Sequence, residues 1–374
     1  MKQKRFAALL AALLLLAACA APNSAAAAPE PPVSSSEEAS APEAVSVSEP
    51  EPESAREPFA WPEETPAAHG MDEALLEQLP AALSQTKITS MVVIKDGALV
   101  SEWYSEGNGP DTAFPMHSCS KSFTGTIVGA ALDDGLIGSI DDPIGKYLPE
   151  AVGTDKENIT VRQLLNQTSG IEWHEWNGEE QSFWGLYNAE NWVDFVLSQP
   201  LIHEPGTTWT YTTGGSHLLA AVVGAAAGKS SAAYGYERLF SKMDMDSITW
   251  NADPQGVTDG GNGVVLTSRD AAKLGQLYLD GGVWQGERLL SEEWVSAATS
   301  RQSDGSAGRS GRYGYQWWLQ TFAGYPTYYA MGFGGQFIFV VPELKLVTVF
   351  TTGGWGDTYA PWPYFTDYVL AACR

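Results

Sequence analysis

The last hundred residues constrain the fold more than any other stretch, because there the apolar residues abandon helical spacing. Tyr313 to Gln320, Thr327 to Met331, Gln336 to Val341 and Lys345 to Thr351 are short runs separated by Gly and Pro turns, and they read as strands. Near the other end, Met91-Val92-Val93-Ile94, the turn Lys95-Asp96-Gly97, and Leu99 to Tyr104 read as a β-hairpin. Strands at both ends with helical patterning between them predict an α+β fold: one antiparallel sheet assembled from the two chain ends and flanked by helices, with a helical lobe inserted in the middle.

The intervening elements follow from periodicity and caps. Met71, Leu75, Leu79 and Leu83 share a helical face, and Pro80 marks the last turn of that helix. The run Ile127 to Leu132 is closed by Asp133-Asp134-Gly135, which stops a helix. Thr160 caps a helix beginning at Val161, Leu218 to Ala227 is a small-residue helix ending at Gly228, and Thr267-Ser268-Arg269-Asp270 opens another through Leu279. A last helix lies near Tyr364 to Ala372.

The N-terminal residues belong to no such fold. Lys2, Lys4 and Arg5 precede an apolar run, Phe6 to Ala18, that is shorter than the ~20 residues a membrane span needs and reads as an export signal over residues 1–18. The run ends Leu16-Ala17-Ala18-Cys19, which resembles the lipobox of bacterial lipoproteins. That resemblance implies lipidation at Cys19 and an extracytoplasmic protein anchored to a bacterial membrane. Residues 19–65 are rich in Ala, Pro, Glu and Ser, and their only charged side chains besides Glu are those of Arg56. Such a segment buries too little apolar surface to offset its ordering entropy and reads as a disordered tether, which leaves residues 66–374 as the folded domain. The formal charge of -24 excludes a nucleic-acid partner, since release of phosphate counterions requires basic surface. With Cys19 lipidated, Cys119 and Cys373 read as two separate buried thiols.

The chemistry concentrates at His117-Ser118-Cys119-Ser120-Lys121. A serine and a lysine three apart share one helical face. The first turn of that helix offers unpaired N–H groups to a negative charge developing on a substrate oxygen, and a desolvated lysine can lose its proton and act as a base. Ser-x-x-Lys alone is a weak signal: Ser84-Gln85-Thr86-Lys87 matches it too and reads as the frayed end of the first helix.

Context separates the two matches. Met116 to Gly125, Ile159 to Ile171, Pro205 to Tyr211, Gly263 to Asp270 and Gly332 to Gln336 occur in a fixed order, and together they resemble the serine β-lactamase and penicillin-binding-protein superfamily. The resemblance is to its class C-like branch, which also holds esterases, D-amino-acid peptidases and nylon-oligomer hydrolases. It implies a β-lactamase/transpeptidase-like fold and an acyl-enzyme hydrolase without metal or cofactor. Residue by residue, it makes Ser118 the nucleophile, Lys121 its activating partner and Tyr211 the catalytic tyrosine, with the tyrosine pKa held down by the lysine. The backbone N–H groups of Ser118 and Gln336 form the oxyanion hole, and Thr213, Phe333, Gly334 and Gly335 contact substrate.

Two positions depart from the family pattern. Thr213 stands where an asparagine is usual and cannot present an amide. Phe333 stands where penicillin-recognising members carry a lysine or histidine, so the charge-assisted bond to a substrate carboxylate is lost. This shifts the expected substrate toward a small-molecule or short-peptide ester or amide lacking that carboxylate. The alternatives are a β-lactamase or D-Ala-D-Ala carboxypeptidase, and a catalytically idle surface protein that binds peptide or glycan. His117 and His217 lie at no triad or zinc-ligand spacing and read as structural or surface histidines. Trp173, Trp176, Trp184 and Trp192 either pack the helical lobe or line an apolar cleft.

Overall fold

The structure is a computed structural model that describes residues 57–175, 182–306, 311–354 and 356–374. The signal, the lipidation site Cys19 and most of the tether lie outside the described residues, as does Trp176. The main sheet has eight antiparallel strands: β1 (Ile88–Lys95), β2 (Ala98–Tyr104), β3 (Ser303–Ser306), β4 (Gly311–Tyr313), β5 (Trp318–Phe322), β6 (Tyr325–Gly332), β7 (Gln336–Val341) and β8 (Leu346–Thr352). Their order is β2-β1-β8-β7-β6-β5-β4-β3. The two chain ends therefore meet at β1 and β8, where Val92 faces Val349 and Ile94 faces Val347, as the terminal strand patterns predict.

Both faces of the sheet are covered, which explains why its central strands are uniformly apolar. Met91 and Val93 of β1, Phe337 and Phe339 of β7, and Phe350 of β8 point to one core. There they meet Leu79 and Leu83 from the chain start and Phe365, Val369 and Leu370 from its end; the Phe339 and Phe365 rings stack at 4.0 Å. Val92, Ile94, Ile338, Val340, Val347 and Val349 face the opposite core, shared with the helical lobe. Three helices of that lobe frame the site: α1 (Ser120–Asp133), α2 (Thr213–Ala227) and α3 (Ser268–Leu279). Helix α3 lies close against the sheet at Gly275, where a Cβ would stand 2.6 Å from Val347.

Local signals fix the helix ends. Thr160 and Gln163 form a complete capping box, Thr267 accepts from the Asp270 N–H, and Gly228 closes α2 at φ 66°. The first predicted helix is instead two short ones, Glu73–Leu76 and Leu79–Leu83. Pro80 sits in the opening turn of the second, where its missing N–H costs nothing, and does not mark a last turn. Tyr313 to Gln320 is likewise interrupted between β4 and β5. The packed chain also begins before residue 66: Trp61 is buried and donates to the Arg269 carbonyl, and Phe59 packs edge-on against Trp61 and Trp284. Two aromatic rings supply enough apolar area to dock a segment whose average composition reads as disordered. Cys119 and Cys373 are separate free thiols.

Candidate active site

His117–Cys119 is a 3-10 turn that runs directly into α1. Every residue from Ser120 to Ala131 is buried, and the hydroxyls on this helix are all used. Ser120 accepts from the Val264 N–H at 2.9 Å, Ser122 donates to the Gln316 carbonyl at 2.7 Å, and Thr124 donates to the Gly260 carbonyl at 2.7 Å. These bonds clamp α1 between the loop before α3 and the sheet. His117 has φ 48°, a left-handed conformation that a non-glycine residue holds only under constraint from its surroundings.

Lys121 is 1% exposed. Its Nζ lies 3.3 Å from Ser118 Oγ, 2.9 Å from Thr213 Oγ1 and 2.8 Å from the Gly261 carbonyl. Burial pulls its pKa down from 10.5 to about 8, against the carboxylates of Glu175 and Asp259, which pull upward. Lys121 is therefore a desolvated amine beside Ser118, with a proton held less firmly than that of an ordinary lysine.

Tyr211 comes up to the same serine from the segment before α2, close enough for Ser118 to act on its phenol. That segment is held by Gln167, whose carbonyl accepts the Thr210 N–H and whose side chain accepts the Thr212 N–H. The Tyr211 ring stacks on Trp318 at 5.7 Å. Its pKa is not held down as the resemblance implies. Burial drives it well above 10, Tyr313 and the Glu175 carboxylate push the same way, and Ser118 opposes them. Lys121 Nζ lies over the ring, 4.8 Å from its centre. Tyr211 is thus a neutral phenol, whereas burial brings the Lys121 amine down to about 8.

Thr213 does not present its side chain as a substrate contact. It is fully buried, and its hydroxyl accepts from Lys121 and donates to Glu175. At the third motif, Gly334 and Gly335 have φ 80° and 110°, so the turn between β6 and β7 follows a path closed to side chains with a Cβ. This turn rests on the one that carries Ser118: a Cβ on Gly332 would come within 2.2 Å of the Met116 carbonyl, and Cys119 Sγ donates to the Gln336 carbonyl at 3.4 Å. Phe333 meets His117 edge-on at 6.0 Å. The two line a cavity of about 260 Å³ together with Phe183, Trp184, Tyr187, Asn262 and Gly354. Among these described lining residues there is no lysine or arginine.

The histidines and tryptophans divide. His117 belongs to the cavity wall beside Asn262, and burial lowers its pKa. His217 is fully buried, 3.3 Å from Asp253, as a structural residue should be. Trp173 and Trp192 are core, whereas Trp184 is 45% exposed and lines the cavity. Sequence reasoning missed Glu175, Asp259 and Asn262. Asp259 accepts from Tyr187 at 2.6 Å and from the Gly261 and Asn262 N–H groups. The signal for the last two was Gly260-Gly261, a pair that lets this loop approach α2: a Cβ on Gly261 would come 2.6 Å from Thr213 Cγ2.

A family profile described as Beta-lactamase matches residues 73–364. The chain belongs to the β-lactamase family. A curated relative, the 6-aminohexanoate-dimer hydrolase of Paenarthrobacter ureafaciens, is 28% identical over 302 residues, covering 75% of this chain and 76% of the relative. Among solved structures, a putative 6-aminohexanoate-dimer hydrolase from Bacillus anthracis superposes with a TM-score of 0.70 at 24% identity, covering 79% and 81% of the two chains. A putative β-lactamase from Bacteroides dorei does so at 0.68 and 19% identity, covering 81% and 99%. These two likenesses establish the β-lactamase/transpeptidase-like fold. By family, this β-lactamase-family chain is a serine hydrolase.

Proposed function

We propose that the chain hydrolyses a neutral ester or amide through an acyl-enzyme on Ser118. The observation that supports this most is the buried amine of Lys121, 3.3 Å from Ser118 Oγ with a pKa of about 8. At pH 7 about a tenth of it is neutral and competent as a base. Neutral Lys121 takes the Ser118 proton as Oγ attacks the carbonyl carbon, and the backbone N–H groups of Ser118 and Gln336 receive the oxyanion. Tyr211 gives its phenolic proton to the leaving alcohol or amine and regains one from the Lys121 ammonium. Water then repeats the sequence in reverse and frees Ser118. The relative named for hydrolysis of a 6-aminohexanoate dimer supports an amide as the bond cleaved, and the aromatic cavity beside Phe333, with no lysine or arginine among its described lining residues, favours an apolar, uncharged group there over a β-lactam carboxylate.

A fluorophosphonate probe tests the reading: the folded domain is labelled at Ser118, and Ser118→Ala abolishes both labelling and turnover of a p-nitrophenyl ester. Folded wild type that takes no label refutes it and leaves a binding protein.

The same proposal places the enzyme outside the cytoplasm, lipid-anchored through Cys19 to a bacterial membrane, on the strength of Leu16-Ala17-Ala18-Cys19. The native protein then partitions with membranes and Cys19→Ser releases it or stalls its processing. A wholly soluble native protein whose N-terminus lies beyond Cys19 contradicts the anchor.

A further inference from the structure

The hydrolytic cycle leaves one carboxylate at the heart of the site without a task. Glu175 lies four residues after Ile171, which bridges to Leu201. Its Oε2 accepts the Trp173 indole N–H at 2.5 Å and the Thr213 backbone N–H at 3.2 Å, and its Oε1 accepts the Thr213 hydroxyl. Thr213 is the first residue of α2, so the carboxylate also sits where the helix dipole favours negative charge.

A threonine hydroxyl has one proton. With that proton given to Glu175, Thr213 Oγ1 can meet Lys121 only as an acceptor, at 2.9 Å. The Gly261 carbonyl, 2.8 Å from Nζ, is an acceptor by nature. A neutral amine has two hydrogens and one lone pair, and here both hydrogens have partners. The third direction is Ser118 Oγ.

We propose that Glu175 is a positioning residue that fixes the direction of the base: by holding the Thr213 proton it commits both Lys121 hydrogens to Thr213 and Gly261 and leaves the nitrogen lone pair facing Ser118. This rests on the reading of Ser118 as nucleophile and Lys121 as base. Without the carboxylate, the Thr213 hydroxyl is free to turn and donate to the lone pair, which occupies the base with a proton it cannot use. The other titratable groups facing Lys121 do not duplicate this arrangement. Asp259 is engaged by Tyr187 and by the Gly261 and Asn262 N–H groups, Tyr211 presents its ring, and the buried Cys119 thiol has a pKa raised well above 9.

The test is the pH profile of kcat/KM for a neutral p-nitrophenyl ester, read alongside fluorophosphonate labelling of Ser118. Glu175→Gln keeps shape and removes charge. It lowers the plateau of kcat/KM by at least tenfold, mostly in kcat, and moves the acid limb below the wild-type value near 8, because Lys121 loses a neighbour that favours its charged form. Thr213→Val, which leaves the carboxylate but breaks the link, lowers the plateau comparably, and Thr213→Ser, which keeps the hydroxyl, restores it. A folded Glu175→Gln enzyme with the wild-type limb and plateau overturns the role of Glu175, as does a fully active Thr213→Val. Wild type that is not labelled at Ser118 overturns the underlying reading instead, so the two failures are distinct.

Discussion

Phe333 should decide which acyl-transfer substrates this site accepts. A substrate carboxylate entering the cavity it lines finds aromatic rings of Phe183, Trp184, Tyr187 and Phe333, the amide of Asn262, and His117. Burial lowers the His117 pKa below its ordinary 6.5, so His117 is neutral at pH 7 and supplies no charge. The carboxylate loses its water without gaining an ionic partner. A charge-assisted hydrogen bond contributes ~1.5–3 kcal/mol, and 1.36 kcal/mol is tenfold in rate, so Phe333→Lys should shift the preference for an acidic over a matched neutral substrate by about 10- to 150-fold. The assay is the ratio of kcat/KM for a peptide or amide with a free carboxylate to that for its methyl ester or carboxamide, measured for wild type, Phe333→Lys and Phe333→His. The ratio rises in the lysine variant at all pH values below the lysine pKa, and in the histidine variant only as pH falls. Wild-type enzyme that cleaves a cephalosporin or a D-Ala-D-Ala peptide as well as neutral esters refutes the reasoning, and so does a lysine variant whose ratio stays put.

Two further predictions concern stability. Gly129→Ala places a Cβ 2.3 Å from the Trp294 indole nitrogen, whose N–H is bonded to Tyr278 inside the core; overpacking of this kind costs ~1–3 kcal/mol or more, read as a lowered urea midpoint. Lys121→Met should change how stability depends on pH. The unfolded chain holds the lysine proton up to 10.5, whereas the folded enzyme releases it at about 8. Between those values the unfolded state binds more protons, so wild type gains stability as pH rises, by roughly 3 kcal/mol across the window. That increment, seen in chemical denaturation series from pH 7.5 to 10.5, is absent from the methionine variant; identical curves for the two proteins contradict the buried, downshifted amine.

The sheet, the inserted lobe and the closeness of Lys121 to Ser118 are legible in the sequence because each depends on short-range pattern, whereas the place of Tyr211 beside them comes from the family resemblance. Strand period, caps such as Thr160 with Gln163, and a serine and lysine on one helical face need only neighbours in the chain. What escapes is set by partners far away in sequence. Phe59 and Trp61 read as tether by the composition around them, yet dock against Trp284. Thr213 reads as a substrate contact by its place in the motif, yet Gly261 crowds it from one side and Glu175 takes its hydroxyl.

The pKa of Lys121 shows why such features resist a linear reading. Motif spacing puts the amine near Ser118, and burial within α1 lowers its pKa. Where the pKa comes to rest depends on two carboxylates, Glu175 and Asp259, brought to it from before and after α2. With neither charge the amine would be a weaker base with little thermodynamic pull on the serine proton. With a carboxylate in direct contact it would hold its own proton too firmly to act near neutrality. Thr213 stands between Lys121 and Glu175, and Asp259 is occupied by Tyr187 and two backbone N–H groups, so both charges act at one remove. The basicity of Lys121 is thus a property of three chain segments meeting, and packing, not any motif that contains Lys121, holds Gly260-Gly261 and the first turn of α2 beside it.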